Sequence, residues 1–164
     1  MLITKMKKRQ RRIATMEINW TLKKFDDLTP AELYAIMQLR NEVFVVEQNC
    51  VYQDADDKDA KSYHFMGWHK NILAAYTRII PQGISYTQAS IGRVVTSPKF
   101  RRSGMGKQLM ELSISNTFSL FNCSEIKIGA QLYLKKFYEG MGFLQCSEEY
   151  LEDNIPHIEM LLLK

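Results

Sequence analysis

The segment that most limits what this chain can become is Arg101-Arg102-Ser103-Gly104-Met105-Gly106-Lys107, between a β-branched run and a helical stripe. The run, Ile91 to Thr96, stops at Ser97-Pro98, where proline cannot extend a strand ladder. Past the glycines, Met105, Leu109 and Leu112 recur at i, i+4 and i+7, one face of a helix reaching about Phe118. Glycines at such a junction let main chain approach a ligand closely. The first free amides of the helix, with its macrodipole behind them, form a cradle for phosphate oxygens. Lys99, Arg101, Arg102 and Lys107 add cationic donors. The spacing is neither GxGxxG nor GxxxxGK(S/T), which disfavours a dinucleotide fold and a P-loop NTPase. Taken alone, the segment also fits a glycine-rich turn with a basic surface.

A chain of 164 residues is expected to make one domain. Its net charge of +4 invites a nucleic-acid reading, but Lys5, Lys7, Lys8, Arg9, Arg11 and Arg12 lie in residues 1–15 with no acid among them. Of the 22 basic residues, 16 then remain against 18 acidic ones, a net of −2. Residues 1–15 read as a basic tail, either a solvated or nucleic-acid-touching arm or a stretch upstream of a true start at Met16, the second being preferred. Residues 16–164 read as the folded domain. Cys50, Cys123 and Cys146 match neither a disulfide framework nor a zinc site, so a reducing cytoplasm and no metal are expected. With no apolar run of membrane-spanning length, no membrane partner is expected.

The remaining elements follow from pattern. Ile18 to Phe25 alternates as a half-buried strand. Thr29-Pro30-Ala31-Glu32 is a capping box with proline at the first helical position, and Leu33, Ile36, Met37 and Arg40 carry the stripe onward. Val43 and Phe44 continue the same 3.6-residue stripe, although the β-branched Val43–Val46 run could instead start a new element. Between Glu47 and Ser62, the acidic Gln53-Asp54-Ala55-Asp56-Asp57-Lys58-Asp59 fails as a calcium loop: Asp59 stands where glycine should and Phe65 where glutamate should, leaving a solvated loop. Strands follow at His64–Trp68 and Ile72–Ile80 around Lys70-Asn71, and a short one at Ile126–Gly129. A helix covers Leu134 to Met141, and two further strands, Phe143–Leu151 and Ile155–Leu163, flank Asp153-Asn154. Strands alternate with helices only in the second half, so the expected class is α/β (α+β), a mixed sheet flanked by helices.

The ordered set Arg101-x-x-Gly104-x-Gly106 and Tyr138-x-x-x-Gly142-Phe143 resembles the GNAT superfamily of acetyl-CoA-dependent N-acetyltransferases. Five further segments are similar to its ElaA-like branch: Leu39-Arg40-x-x-Val43-Phe44-Val45-Val46-Glu47-Gln48-x-Cys50, Tyr52-Gln53-x-x-Asp56 with His64, Ile91-Gly92-Arg93-Val94-Val95, Gly129-Ala130-Gln131, and Asp153-x-Ile155-Pro156-His157-Ile158. The resemblance runs from Met16 to Met160. It implies a twisted sheet splayed between the strands at 91–96 and 126–129, with acetyl-CoA in the opening. Backbone groups of Val94, Val95 and Thr96 would bond the pantetheine arm, and amides of Arg102, Ser103, Gly104, Met105, Gly106 and Lys107, with Arg101 beside them, would hold the pyrophosphate. Tyr138 would protonate the departing thiolate, against the alternative of a core tyrosine on the Leu134/Phe137/Met141 stripe. Gln131 stands where many members carry Asn, and Arg93 where some carry a catalytic Glu.

Candidate bases for the attacking amine are Glu47, Asp56, His64 and His157; the alternatives are Glu47 paired with Arg40, Asp56 in the solvated loop, and the histidines satisfied within strands. Arg40, Phe44, Arg78 and Arg93, with His157, are expected to shape an acceptor pocket, the arginines suiting a carboxylate or phosphate. Cys50 reads as a small packed thiol. The expected activity is acetyl transfer to a primary amine of a small metabolite or a peptide or lysine, with coenzyme A as product; a homodimer would be unsurprising for the superfamily. Three other readings compete: a non-catalytic acyl-CoA sensor, a nucleic-acid binder working through the tail, and an acyl-homoserine-lactone synthase. Chain length and the Arg101–Gly106 motif count against the last.

Overall fold

Trp20 and Leu22, alternating with polar neighbours, form β1 (Asn19–Lys24), an edge of one mixed sheet. The structure, a computed structural model, describes residues 16–164, and the basic segment 1–15 lies outside the described residues. The capping box forms: Thr29 Oγ1 accepts from Glu32 N–H at 3.2 Å, and Glu32 Oε2 accepts from Thr29 N–H at 2.8 Å. It starts α1 (Pro30–Arg40).

The helix does not stop at Arg40. Asn41–Glu47 continues it with a wider turn, in which Gln48 N–H donates to Val43 O and Cys50 N–H to Val45 O, both i to i−5. The Val43–Val46 run therefore opens no new strand. Val43 packs with Ile36 and Leu39 on Met66, Leu73 and Tyr76, and this burial overrides its β preference.

The hairpin of β2 (Tyr63–His69) and β3 (Ile72–Ile80) turns where expected, with Lys70 at φ +55°. Then come β4 (Ala89–Thr96), α2 (Met105–Phe121), β5 (Glu125–Gln131), α3 (Lys135–Glu139), β6 (Leu144–Gln145), β7 (Tyr150–Glu152) and β8 (Ile155–Leu163). The sheet runs β1-β2-β3-β4-β5-β8-β6, with β7 also pairing β8. All neighbours are antiparallel except β4 and β5. The expected strand over Phe143–Leu151 is broken into two short ones, because Ser147 Oγ accepts the Glu159 N–H at 2.8 Å in place of a ladder partner. α2 runs three residues beyond Phe118 and ends at Asn122, left-handed at φ +46°. α3 is shorter than the 134–141 stripe, its first turn being the tighter helix Leu132–Leu134.

Helices cover the sheet as the pattern requires. Met105 and Leu109 of α2 pack on Phe65, Ala75 and Ile79, while Tyr138, Phe143, Ile158 and Met160 build a second core over β5 and β8. Among the described residues, no helix is long and apolar enough to cross a membrane. Thr29→Ala removes the cap of α1 and is expected to destabilise the fold by about 1 kcal/mol in urea titration.

Candidate active site

β4 and β5 are parallel neighbours for only two pairs, Ala89 with Ile126 and Ser90 with Lys127. Beyond Ser90 the strands part, and a cleft of about 830 Å³ opens between them. Val94, Val95 and Thr96 line it from β4, Gly129, Ala130 and Gln131 from β5, and Tyr138 from α3. On the β5 side, the divergence leaves β4 main-chain groups without a strand partner, and a polar chain threading the gap can take that place.

At one end stands the glycine turn. Gly104, at φ +80°, is the residue before α2, and α2 has neither a side-chain cap nor an acidic residue in its first turn. Its leading amides have no partner within the helix. A Cβ on Gly106 would meet only Thr96 Cγ2, at 3.9 Å, so packing does not force glycine there. Gly106 borders the cleft, and a side chain at this position would fill the approach to the amides. The turn therefore fits a phosphate-bearing group. Arg101 also borders the cleft, its Nη2 donating to Glu47 Oε1 at 2.8 Å. Arg102, Ser103 and Lys107 are exposed around the turn; Ser103 Oγ ties it to Phe100 O at 2.7 Å, while the Met105 side chain is buried in the core.

The other end corrects the expectation of a solvated loop and of arginines free to meet an anion. Asp54 is 4% exposed. Its Oδ2 accepts from Arg40 Nε and its Oδ1 from Arg93 Nε, each at 2.7 Å, and Tyr52 donates to Oδ1 at 2.8 Å. Arg78 grips Asp56 with both terminal nitrogens, at 2.6 and 2.7 Å. Asp59 is shared by Arg40 at 2.6 Å and Arg78 at 3.1 Å. Three arginines are thus balanced by three aspartates, with Arg78 Nε left buried and unpartnered among the described residues. Burial pushes the Asp56 carboxyl up, but Arg78 and Arg93 overcome it and hold it down at about 2.

The remaining site candidates separate. Arg40 and His64 are both fully buried and away from the cleft. His64 Nε2 must donate to Asp59 O, at 3.0 Å, because a carbonyl only accepts; Nδ1 then accepts from Tyr76 Oη at 2.8 Å. With both ring nitrogens used, His64 has no free lone pair, and burial pushes its pKa down. Glu47 does border the cleft, but its partner is Arg101 and not Arg40.

Phe44, Arg78, Arg93 and His157 border the cleft as well. His157 Nδ1 lies 2.8 Å from Ile155 O and so carries the proton, leaving the Nε2 lone pair free. Tyr138 is 4% exposed, and its phenol is held well above its ordinary range by burial, with Tyr133 adding to it. Gln48 and Tyr52, which stand in the quoted ElaA-like segments without an assigned role, line the cleft, as does Tyr86, which sequence reasoning passed over. Gln48 accepts from Gln131 across the gap at 3.2 Å. Tyr86 lies in a turn without periodicity, and only its isolation as an aromatic among small polar residues marks it. Among the described residues, no cluster of His, Cys, Asp or Glu is placed to hold a metal ion.

Residues 26–164 match the acetyltransferase (GNAT) domain family. The chain is 39% identical over 145 residues to Protein ElaA of Escherichia coli K12, covering 87% of this chain and 95% of that one. The crystal structure of E. coli ElaA superposes with a TM-score of 0.84 at 38% identity, over 89% of this chain and 99% of that one. That of an acyl-CoA N-acyltransferase from Pseudomonas aeruginosa gives 0.85 at 42% identity, with the same coverage.

The buried cluster sets an acid limit with two steps. His64, neutral when folded and protonated below about pH 6.5 when unfolded, contributes stability above that pH that is lost as the pH falls. Asp56 and Asp59, both held low, contribute above about pH 3.8, and this is lost as the pH falls toward 2. Melting temperature measured from pH 8 to pH 2 is expected to fall in two stages, and His64→Gln to remove the first stage alone.

Proposed function

The chain belongs to the GNAT family as a GNAT-type N-acetyltransferase, and we propose that it carries an acetyl group from acetyl-CoA directly to a primary amine. The acceptor is a small metabolite or an exposed peptide or lysine amine, and transfer takes place within one ternary complex. The observation that carries this reading is the parting of β4 from β5 beyond Ser90, with uncapped helix amides at one end of the gap and Tyr138 beside it.

Acetyl-CoA supplies an acetyl thioester, an electrophile already activated. Main-chain groups of Val94, Val95 and Thr96 take the place of a strand partner for the pantetheine amides, with Gln131 opposite. The amides of Arg102 to Lys107 receive the pyrophosphate, and Arg101 adds a cation beside them. Tyr138 remains protonated at neutral pH and gives its Oη proton to the departing sulfur.

An amine attacks only when neutral. His157 offers a free Nε2 lone pair within the cleft, which makes it the best-placed base on the acceptor side. Glu47 is the second candidate, engaged with Arg101. Asp56 is unsuited, its oxygens being held by Arg78 and Arg93 and its pKa at about 2. His64 is unsuited because both of its nitrogens are spent.

Calorimetric titration of the full chain with acetyl-CoA and CoA, beside thiol release over a panel of amines, tests the proposal. Saturable binding of both is expected. Gly106→Val should fold normally, since valine is no worse than glycine in a helix, yet lose at least ten-fold in CoA affinity. Tyr138→Phe should lower kcat by about 10²-fold while acetyl-CoA affinity stays within two-fold. An unaltered chain that binds no CoA would refute the reading; binding without turnover on any amine would make the protein an acyl-CoA sensor.

A further inference from the structure

β4 carries one more residue than β3 opposite the cleft. Tyr76 faces Val95 and Arg78 faces Gly92, so Arg93 and Val94 together stand against Thr77. Arg93 has φ +52°. A bulge whose first residue is left-handed normally takes glycine there, because an L side chain crowds the following carbonyl. Here a glycine is adjacent, yet Gly92 is not among the residues with positive φ, and the arginine occupies the strained place.

What the arginine has and glycine lacks is a tether. Arg93 Nε donates to Asp54 Oδ1 at 2.7 Å, and its Nη2 to Asp54 O at 3.0 Å and Asp56 Oδ2 at 3.3 Å. The anchor is immobile: Asp54 is held from the end of α1 by Arg40 Nε at 2.7 Å and Nη2 at 3.0 Å. The chain of bonds therefore runs from α1 through a buried carboxylate to the one left-handed residue of β4.

That residue lies just beyond Ser90, the last of β4 to pair with β5, and just before Val94, Val95 and Thr96. We propose that Arg93 is a positioning residue. Its ion pair with Asp54 holds β4 in the bulged conformation that turns the Val94–Thr96 main chain toward the acyl-CoA half of the cleft. It acts through the backbone and touches neither cofactor nor acceptor, which replaces the expectation that Arg93 recognises an anionic acceptor. The inference rests on the cleft being an acyl-CoA site.

Three variants remove the tether equally and differ only in tolerance of positive φ: Arg93→Gly, Arg93→Asn and Arg93→Ala. Asp54 keeps Arg40 and Tyr52 in all three. Calorimetric CoA affinity is expected within two-fold of the unaltered chain for Arg93→Gly, and weakened about five- to thirty-fold for Arg93→Ala, the usual left-handed cost expressed as an equilibrium constant. Arg93→Asn should fall between, and should it alone fold beside the glycine variant, their order carries the test. Equal weakening in all would show that the side chain meets the ligand, and no weakening in any would show that the bulge needs no tether; either overturns the inference. If the unaltered chain binds no CoA, the proposed function fails, while backbone chemical shifts of Val94 and Val95 still decide the tether. Unchanged shifts in the glycine variant with extended-strand shifts in the alanine variant support it, and identical shifts in all variants refute it.

Discussion

Three arginines, from the end of α1, from β3 and from β4, converge on three aspartates of a single loop, and one end of the cleft depends on that balance. Arg40 is completely buried and Arg78 nearly so, which would be untenable for unpaired guanidinium groups. Ion pairs of this kind add little net stability, because desolvation consumes most of the Coulomb gain, while removing a single partner costs about 3–5 kcal/mol. Their consequence here is geometric. The loop can satisfy three cations only by running past the ends of α1 and β3 and the bulge of β4, and that path makes it a wall of the cleft.

The second constraint is the short contact between β4 and β5. Sheets normally close their ladders, and an open parallel pair leaves main-chain donors and acceptors in want of partners. The two ladder pairs at Ala89 and Ser90 anchor the opening, and the bulge in β4 lies just beyond them. What such a gap offers along 94–96 is mostly main chain, which makes few demands on side-chain identity there. Glycine matters instead at Gly104, whose φ of +80° makes the turn before α2, and at Gly106, which borders the cleft.

Features governed by neighbours in sequence were legible before folding. The Thr29–Glu32 cap, the turn at Lys70-Asn71, the glycine junction before α2 and the stripe bearing Tyr138 all depend on residues within a turn or two of each other. Where a distant partner decides, the local signal misled or stayed divided. In the Val43–Val46 run the β-branched composition competes with the helical stripe through Val43 and Phe44, and the packing of Val43 on Ile36, Met66 and Tyr76 goes with the stripe. The Asp54–Asp59 segment has the composition of a solvated loop, because its arginine partners stand 14 to 39 positions away. His64 looked like a base in sequence, and only its two hydrogen bonds to Asp59 and Tyr76 show that it has no lone pair to offer.

The sequence by itself determined the family, most of the order of elements and the glycine turn before α2, since each is written in short spacings that local backbone physics reads directly. The tertiary structure decided how charge is spent. It turned the arginines from free anion receptors into neutralised ties, left His157 and not His64 with an open nitrogen, and set Arg93 at a left-handed bulge. Charge pairing inside a protein depends on burial and on partners far along the chain, and neither quantity exists until the chain has folded.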